Sequence, residues 1–312
     1  MKYIEQLSNV KRSNLILYLP FPLLFLIIMG LNYLVISFLK LDVNKIIQDE
    51  IKLKGVNRVF VENMIPFLVG IVLLFVWVKF VHKQSIRSLT TARDKVDWSR
   101  IFFSFSIWSA FTIVSILLLS YFNQGDFVWN FKPVPFLILF ILALVLIPIQ
   151  TSFEEYLFRG YMMQGIGLLT RRRIYPFLIT SFTFGIMHIA NPEVEKMGHI
   201  ILIYYIGTGL FLGVLTLMDE GMELALGFHA ANNLVGALLI TSDWSAFQTD
   251  SIFKDKSLPS AGIDVLLPVF VIFPILLFIF SKKYNWTNWK EKLTGTIEVE
   301  SLESYENIGN HE

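Results

Sequence analysis

Apolar runs of about 18 residues or more recur along most of this chain, and that is the length an α-helix needs to cross a bilayer. In hydrocarbon each backbone N–H and C=O must be paired within the protein, so an unbroken, non-alternating run leaves the helix as its fold. The chain is therefore read as an all-α, polytopic membrane protein of about eight transmembrane helices. The expected spans are 15–39, 64–82, 101–122, 134–169, 174–190, 199–218, 224–241 and 262–281. Residues 1–292 are read as one transmembrane domain, and the polar, acidic segment 293–312 as a disordered tail. Composition agrees: 54% of the 312 residues are apolar and 16% are charged, against roughly 25% charged in soluble domains. The run from Leu15 to Leu39 is too long for the core of a secretory leader, and it is taken as the first span.

Charge sets the expected orientation. An even number of spans puts both termini on one side. If that side is the cytoplasm, the inner segments hold most of the Lys and Arg, including Arg12, Lys83, Arg87, Arg93, Arg100, Arg171, Arg172, Arg173 and Lys283. The outer loop 40–63 is the exception, and Ile46, Ile47, Ile51 and Leu53 set against Asp49, Glu50, Lys52 and Lys54 read as an interfacial amphipathic helix. The fourth span continues to Leu169. Its ~35 residues, at ~1.5 Å each, exceed a ~30 Å hydrocarbon core, so it must tilt, kink at Pro148 or project into water. A net charge of +1 gives no case for nucleic-acid binding. The absence of Cys excludes thiolate nucleophiles, disulfides and Cys-based zinc sites.

Against this apolar background three polar groups stand out: Glu154-Glu155 with Arg159, His188, and His229 with Asn233. Ionisable or hydrogen-bonding side chains in hydrocarbon are costly and mark functional sites by default. With spans 4 and 5 as a hairpin turning at 171–172, Glu154 lies about 17 residues before the tip and His188 about 16 after it. Equal rise per residue then puts them at one height, able to reach each other. His229 and Asn233 are four apart and share a face of span 7, while Asn232 is rotated off. Glu155 and Arg159 have the favourable order for an intrahelical ion pair, which leaves Glu154 without a local partner.

Two chemistries are open to this set. Glu154 and His188 can activate water while His229 and Asn233 hold an oxyanion. Alternatively, His188, His229 and Glu154 form the ligand set of a divalent metal such as zinc, although no H-E-x-x-H motif is present. A structural reading, with the polar groups as interhelical glue, and a proton-relay transporter are the other possibilities. Inverted repeats and paired broken helices, the marks of the transporter, are not seen in the sequence. Gly209 and Gly213 read as a small-residue packing element.

Together the motifs carry a resemblance. Glu154 to Arg159 fits EExxxR, Phe184 to His188 fits FxxxH, and His229 to Asn233 fits HxxxN. In this order, within 134–240, they resemble the CPBP family, which includes type II CAAX prenyl endopeptidases and bacterial bacteriocin-processing and self-immunity proteins. The stretch from Arg87 to Trp98 is similar to bacterial members as well. The resemblance implies an intramembrane endopeptidase, of a kind that family usage calls a metalloprotease, with an eight-helix core and catalytic residues Glu154, Glu155, Arg159, His188, His229 and Asn233. It implies a membrane-associated peptide or protein substrate, and a place in a bacterial cytoplasmic membrane with both termini cytoplasmic. The alternative is a non-catalytic membrane partner acting in immunity or envelope regulation.

Overall fold

The computed structural model describes residues 2–9, 15–260 and 262–298. Two 3-10 turns, Tyr3–Asn9 and Leu15–Tyr18, lead into α1 (Pro20–Leu39), followed by α2 (Val43–Lys54). Next come α3 (Val56–Val76), which ends in a π-helical turn at Trp77–Val81, the short α4 (Ile86–Thr90) and α5 (Trp98–Phe122). After strand β1 (Phe127–Trp129) the chain forms α6 (Pro133–Glu155), a π-helical turn (Tyr156–Met162) and α7 (Met163–Thr170). Then follow α8 (Ile174–Ile186) with a 3-10 end at Met187–Ala190, α9 (Pro192–Met197), α10 (Leu202–Asp219) and α11 (Glu223–Leu239). Strands β2 (Ile240–Ser242) and β3 (Phe253–Asp255) precede α12 (Ile263–Leu267), a π-helical turn (Pro268–Ile272), α13 (Phe273–Lys283) and α14 (Trp289–Thr294). The protein is an all-α polytopic membrane protein. Its strands among the described residues form one small sheet of order β1-β3-β2.

Among the described residues, six helices are long and apolar enough to cross a membrane: Ile16–Leu39, Val56–Val81, Trp98–Phe122, Pro133–Thr170, His199–Asp219 and Val265–Lys283. The other two expected spans, in α8 and α11, are shorter, yet contacts at their ends show that they run the same course. At its start α8 meets both described ends of the chain: Arg173 N–H donates to the Gly295 carbonyl at 3.0 Å, and its guanidinium pairs with Glu5 at 2.8 Å. At its far end, Ile189, Ala190 and Asn191 share a cavity with Lys40, Asp42 and Val43, beyond the other end of α1. α11 starts against the loop that holds Thr90 and Arg93 and ends in the sheet beside β3. The described ends therefore lie together on one side, with α2 and the sheet on the other, joined by Gln48 Nε2 donating to the Asp243 carbonyl at 3.1 Å.

Three expectations change in detail. The second span begins at Val56 rather than 64, because α3 starts directly after Gly55, and the interfacial helix is confined to Val43–Lys54. The long fourth span runs unbroken from Pro133 to Thr170: Pro148 stays within α6, and a π-helical turn follows Glu155. Residues 293–298 of the expected disordered tail are folded: Ile297 is buried, and its N–H donates to the Arg171 carbonyl at 2.9 Å. The tail beyond residue 298 lies outside the described residues.

The centre of the bundle is α10, in which nearly every residue from Gly207 to Asp219 is buried, whereas α1 buries no side chain. Small residues let the central helices approach at backbone distance. A Cβ at Gly185 of α8 would sit 2.7 Å from Ile206 Cα on α10, and one at Gly209 would strike the Ser181 carbonyl. Without a hydrophobic driving force between helices in lipid, such close packing holds the bundle together. The loop after α4 fastens the same region from one end. Arg93 pairs with Asp219 at 3.0 Å and Glu223 at 3.1 Å, and Arg100 also pairs with Asp219. That gives a place in the fold to the Arg87–Trp98 stretch: it clamps the turn between α10 and α11.

Gly185→Ala is expected to separate α8 from α10 and lower the midpoint of thermal unfolding in detergent, at a cost of about 1–3 kcal/mol. Gly30→Ala, where a Cβ would meet nothing within 4 Å, should leave that midpoint unchanged.

Candidate active site

Glu154 and Glu155 are the last two residues of α6, at the entry to the π-helical turn, and both are buried. Wide turns of this kind interrupt α-helices mostly at functional sites. Glu155 Oε1 accepts from Arg159 Nη1 at 3.1 Å, as its spacing predicts, and also from His229 Nδ1 at 2.8 Å. Arg159 is fully buried; its Nη2 donates to the Gly209 carbonyl at 3.0 Å, and its guanidinium lies 4.3 Å from the centre of the Phe184 ring. One cation therefore joins α6, α8 and α10, and Glu155 extends the link to α11.

Glu154 is not left alone, contrary to expectation. Its Oε1 accepts from Gln150 Nε2 at 2.8 Å, one helical turn earlier. Its Oε2 has no hydrogen-bond partner and stands 3.5 Å from His229 Nε2. Chemistry fixes the proton on His229: a carboxylate that already accepts from arginine can only accept again, so Nδ1 carries the hydrogen. Nε2 of the neutral ring is then an acceptor facing an acceptor. The same reasoning applies to His188, whose Nδ1 lies 2.8 Å from the Phe184 carbonyl and must donate to it, leaving Nε2 free.

The expected Glu154–His188 contact does not form. His188 stacks on Tyr205, with ring centres 4.3 Å apart, and no hydrogen bond or ion pair links it to Glu154 among the described residues. The partner that reaches Glu154 is His229. Phe184 separates the imidazoles, with its ring 5.2 Å from His188 and 5.7 Å from His229. Equal height along a hairpin places two residues at one level, but it does not say which faces they occupy.

Asn233 Nδ2 donates to Gln150 Oε1 at 3.0 Å, and Asn233 Oδ1 accepts from Asn232 Nδ2 at 3.0 Å. Asn232, read from its helical position as turned away, is therefore part of the polar network. It accepts in turn from Trp108 Nε1 at 3.1 Å and from the Tyr204 hydroxyl at 3.3 Å. Sequence reasoning missed Gln150, Trp108, Tyr204 and Tyr205. Gln150 did carry a signal, as an amide four residues before Glu154 in an apolar helix. The aromatic residues look like any other core position.

The site residues are unevenly buried. Glu154 and His229 are nearly closed off, while His188, Asn232, Asn233, Tyr204 and Tyr205 are partly exposed. Behind His229 the wall is aromatic: Phe228 packs on Trp108 at 4.4 Å and Phe211 at 4.8 Å, and Phe211 stacks on Phe273 at 4.6 Å.

This geometry agrees with the sequence comparison. A family model described as type II CAAX prenyl endopeptidase Rce1-like matches residues 133–235. That segment is similar to an Rce1-like domain. It contains all three motifs and every polar group of the site except Trp108. The chain is also 33% identical over 184 residues to a Bacillus subtilis (strain 168) protein named Uncharacterized protein YyaK, an alignment covering 55% of this chain and 58% of that relative. The chain thus spans under two thirds of the relative's length. No solved structure matches.

Both imidazoles present a free Nε2 and donate through Nδ1, which is how histidine is oriented when it binds a metal. The expected ligands His188, His229 and Glu154 nonetheless do not gather: among the described residues no three His, Asp or Glu side chains form a metal-binding group. As placed, the residues do not fit a three-ligand centre.

Removing the Arg159 cation leaves Glu155 buried and without its counter-charge, a change that costs about 3–5 kcal/mol in buried pairs. Arg159→Ala is expected to lower the unfolding midpoint in detergent sharply. The double substitution Arg159→Met, Glu155→Leu should recover most of the loss, because it removes both charges and retains volume. Failure to recover would move the stabilising role to the contacts with Gly209 and Phe184.

Proposed function

We propose that the protein is an intramembrane endopeptidase that hydrolyses a peptide bond in a membrane-associated peptide or protein. The observation that carries this reading is the buried, unpartnered Oε2 of Glu154, set 3.5 Å from the free Nε2 of His229. Two converging acceptors in an apolar setting call for a proton donor, and a water seated beside the pair supplies one hydrogen to each. The match of 133–235 to the Rce1-like model supports peptide hydrolysis as the reaction class.

In the proposed reaction Glu154 takes a proton from water as the oxygen attacks the scissile carbonyl carbon. The Nε2 of His188 orients the attacking water from the more exposed side. Asn233 and His229 donate to the oxygen that becomes negative; His229, held through Nδ1 by Glu155, does so after taking one proton from solvent at Nε2, which frees the water's second hydrogen for His188 and is given back when product leaves. Collapse of the tetrahedral species returns the proton held by Glu154 to the departing amine nitrogen, so each proton is accounted for. Gln150, hydrogen-bonded to the other carboxylate oxygen, keeps Oε2 aimed at the water. The aromatic wall excludes bulk solvent and strengthens each of these electrostatic contacts.

We further propose that the described ends face the cytoplasm of a bacterial cell. The basic residues Arg87, Arg171, Arg172 and Lys283 on that side support this orientation. The polar network also bonds helices to one another, which is what a non-catalytic immunity or envelope partner would require. Glu154→Gln separates the two readings, because the amide retains hydrogen bonding but cannot take a proton.

Glu154→Gln, His188→Ala and His229→Ala are each expected to reduce cleavage by ~100-fold or more, the range for loss of acid–base or oxyanion groups, with membrane insertion intact. Normal turnover in Glu154→Gln, measured on membrane peptides, would remove the proposed base. Cleavage is expected to survive dialysis against a chelator; loss with recovery on adding zinc would instead make His188, His229 and Glu154 metal ligands in the working enzyme.

A further inference from the structure

Asn233 carries the proposed oxyanion-stabilising amide, and an amide helps only if its NH2 group faces the developing charge. A primary amide can turn over and present its carbonyl oxygen instead, which would repel an oxyanion. Nothing on Asn233 itself chooses between the two orientations. Its neighbours do, through a continuous series of hydrogen bonds.

At one end stands Trp108, whose indole Nε1–H can only donate, and it donates to Asn232 at 3.1 Å. That end of Asn232 must therefore be its oxygen. The Tyr204 hydroxyl, 3.3 Å from the same oxygen, adds a second donor. The Asn232 NH2 group then points to Asn233 at 3.0 Å, so the facing atom of Asn233 is also its oxygen. The Asn233 NH2 group faces Gln150 at 3.0 Å, and Gln150 turns its own NH2 group to Glu154 at 2.8 Å. At that end stands a carboxylate, which as an ion can only accept. Three amides, each able to flip when alone, thus lie between an obligate donor on α5 and an obligate acceptor on α6, and all are turned one way.

We infer that Trp108, Asn232 and Gln150 form a directional relay that holds the Asn233 amide in its donor orientation and aims the Glu154 carboxylate. The inference rests on the proposed protease reading for its effect on catalysis, but the relay itself does not depend on that reading. The three are positioning residues. One hydrogen of the Asn233 NH2 group is engaged by Gln150, and the other is left for the substrate oxygen. Bonds aligned in this way also polarise one another, which makes reversal of a single member costly to all.

Two measurements test it, one without substrate. Trp108 and Gln150 are separated by two amides, and substitutions at sites that share no partner normally add. In detergent, the unfolding-midpoint shifts of Trp108→Phe and Gln150→Leu are expected to fall short of additivity by about 2 °C or more when combined, because either one alone releases the intervening amides. Strict additivity would overturn the relay, whatever the protein does.

The second measurement is cleavage. Asn232→Asp is nearly isosteric and still accepts from Trp108, but the carboxylate cannot donate to Asn233, so the Asn233 amide is expected to turn its NH2 group toward it. Turnover should fall at least tenfold, with the Michaelis constant changed less than twofold. In an Asn233→Ala background the same substitution should cost less than a further twofold. Full activity of Asn232→Asp, or losses that multiply in the double variant, would refute the relay. Undiminished cleavage by Glu154→Gln together with a non-additive melting cycle would instead refute the protease mechanism and leave the relay standing.

Discussion

One buried ion pair holds the centre of this protein together. Glu155 and Arg159 are fully buried within a helical bundle that sits in lipid, and neither has water to fall back on. Isolated charges in that setting are costly, and a pair offsets more of the cost as more of its donors and acceptors are engaged, although Arg159 Nε and Glu155 Oε2 have no hydrogen-bond partner. Here Arg159 gives its second Nη to the Gly209 carbonyl and lays its plane near Phe184, while Glu155 takes the Nδ1 hydrogen of His229. The Ser181 hydroxyl donates to the same Gly209 carbonyl at 3.0 Å. Four helices therefore share one electrostatic junction. The approach that makes it possible is steric, since Gly209 lacks the Cβ that would strike Ser181.

The two adjacent carboxylates divide the work because they enter different surroundings. Glu155 gives one oxygen to two donors, Arg159 and His229, and its charge faces the guanidinium. Glu154 has one oxygen held by a neutral amide and the other left to face His229. A carboxylate paired with a guanidinium makes a poor base, while one without a cationic partner, its oxygen aimed at an imidazole, has room for a water proton. The same division orients both histidines, each with its Nδ1 hydrogen engaged and its Nε2 free. Tautomer control of this kind, through a carboxylate for His229 and a backbone carbonyl for His188, prepares an imidazole for chemistry before any substrate arrives.

Much of this was legible in the sequence, for reasons that also mark where legibility ended. Helix count and course followed from long apolar runs, and the Glu155–Arg159 pair followed from a four-residue spacing, because both depend on local geometry. His229 and Asn233 were placed on one face by the same rule. The contact between Glu154 and His229 was not visible, because it depends on how α11 is rotated against α6, and residue spacing within either helix says nothing about that. Asn232 was set aside on helical angle alone, although a partner on α5 reaches it from the side judged empty. The folded segment at 293–298 was missed for a similar reason: its partners, Arg171 and Arg173, lie far away in the chain and supply backbone groups rather than a hydrophobic pattern.

The π-helical turn after Glu155 ties the site to the ends of the chain. A wider turn spoils the regular ladder of backbone bonds, and in lipid the displaced carbonyls must find partners within the protein. The Tyr3 hydroxyl lies 3.1 Å from the Arg159 carbonyl and 2.7 Å from that of Leu89, and the Tyr3 N–H donates to Glu220 at 2.6 Å. A residue near the start of the chain thus stabilises the backbone of the motif arginine, while Gly160 admits Leu89 from α4, whose Cγ would lie 3.1 Å from an added Cβ. α4 in turn leads into the loop whose Arg93 clamps Asp219 and Glu223, at the start of the helix that carries His229. The distortion on α6 and the position of α11 are therefore set by contiguous contacts on the same side of the membrane. The catalytic groups stay in register because the segments that bear them are fixed at that end, whatever the loosely packed α1 does at the periphery.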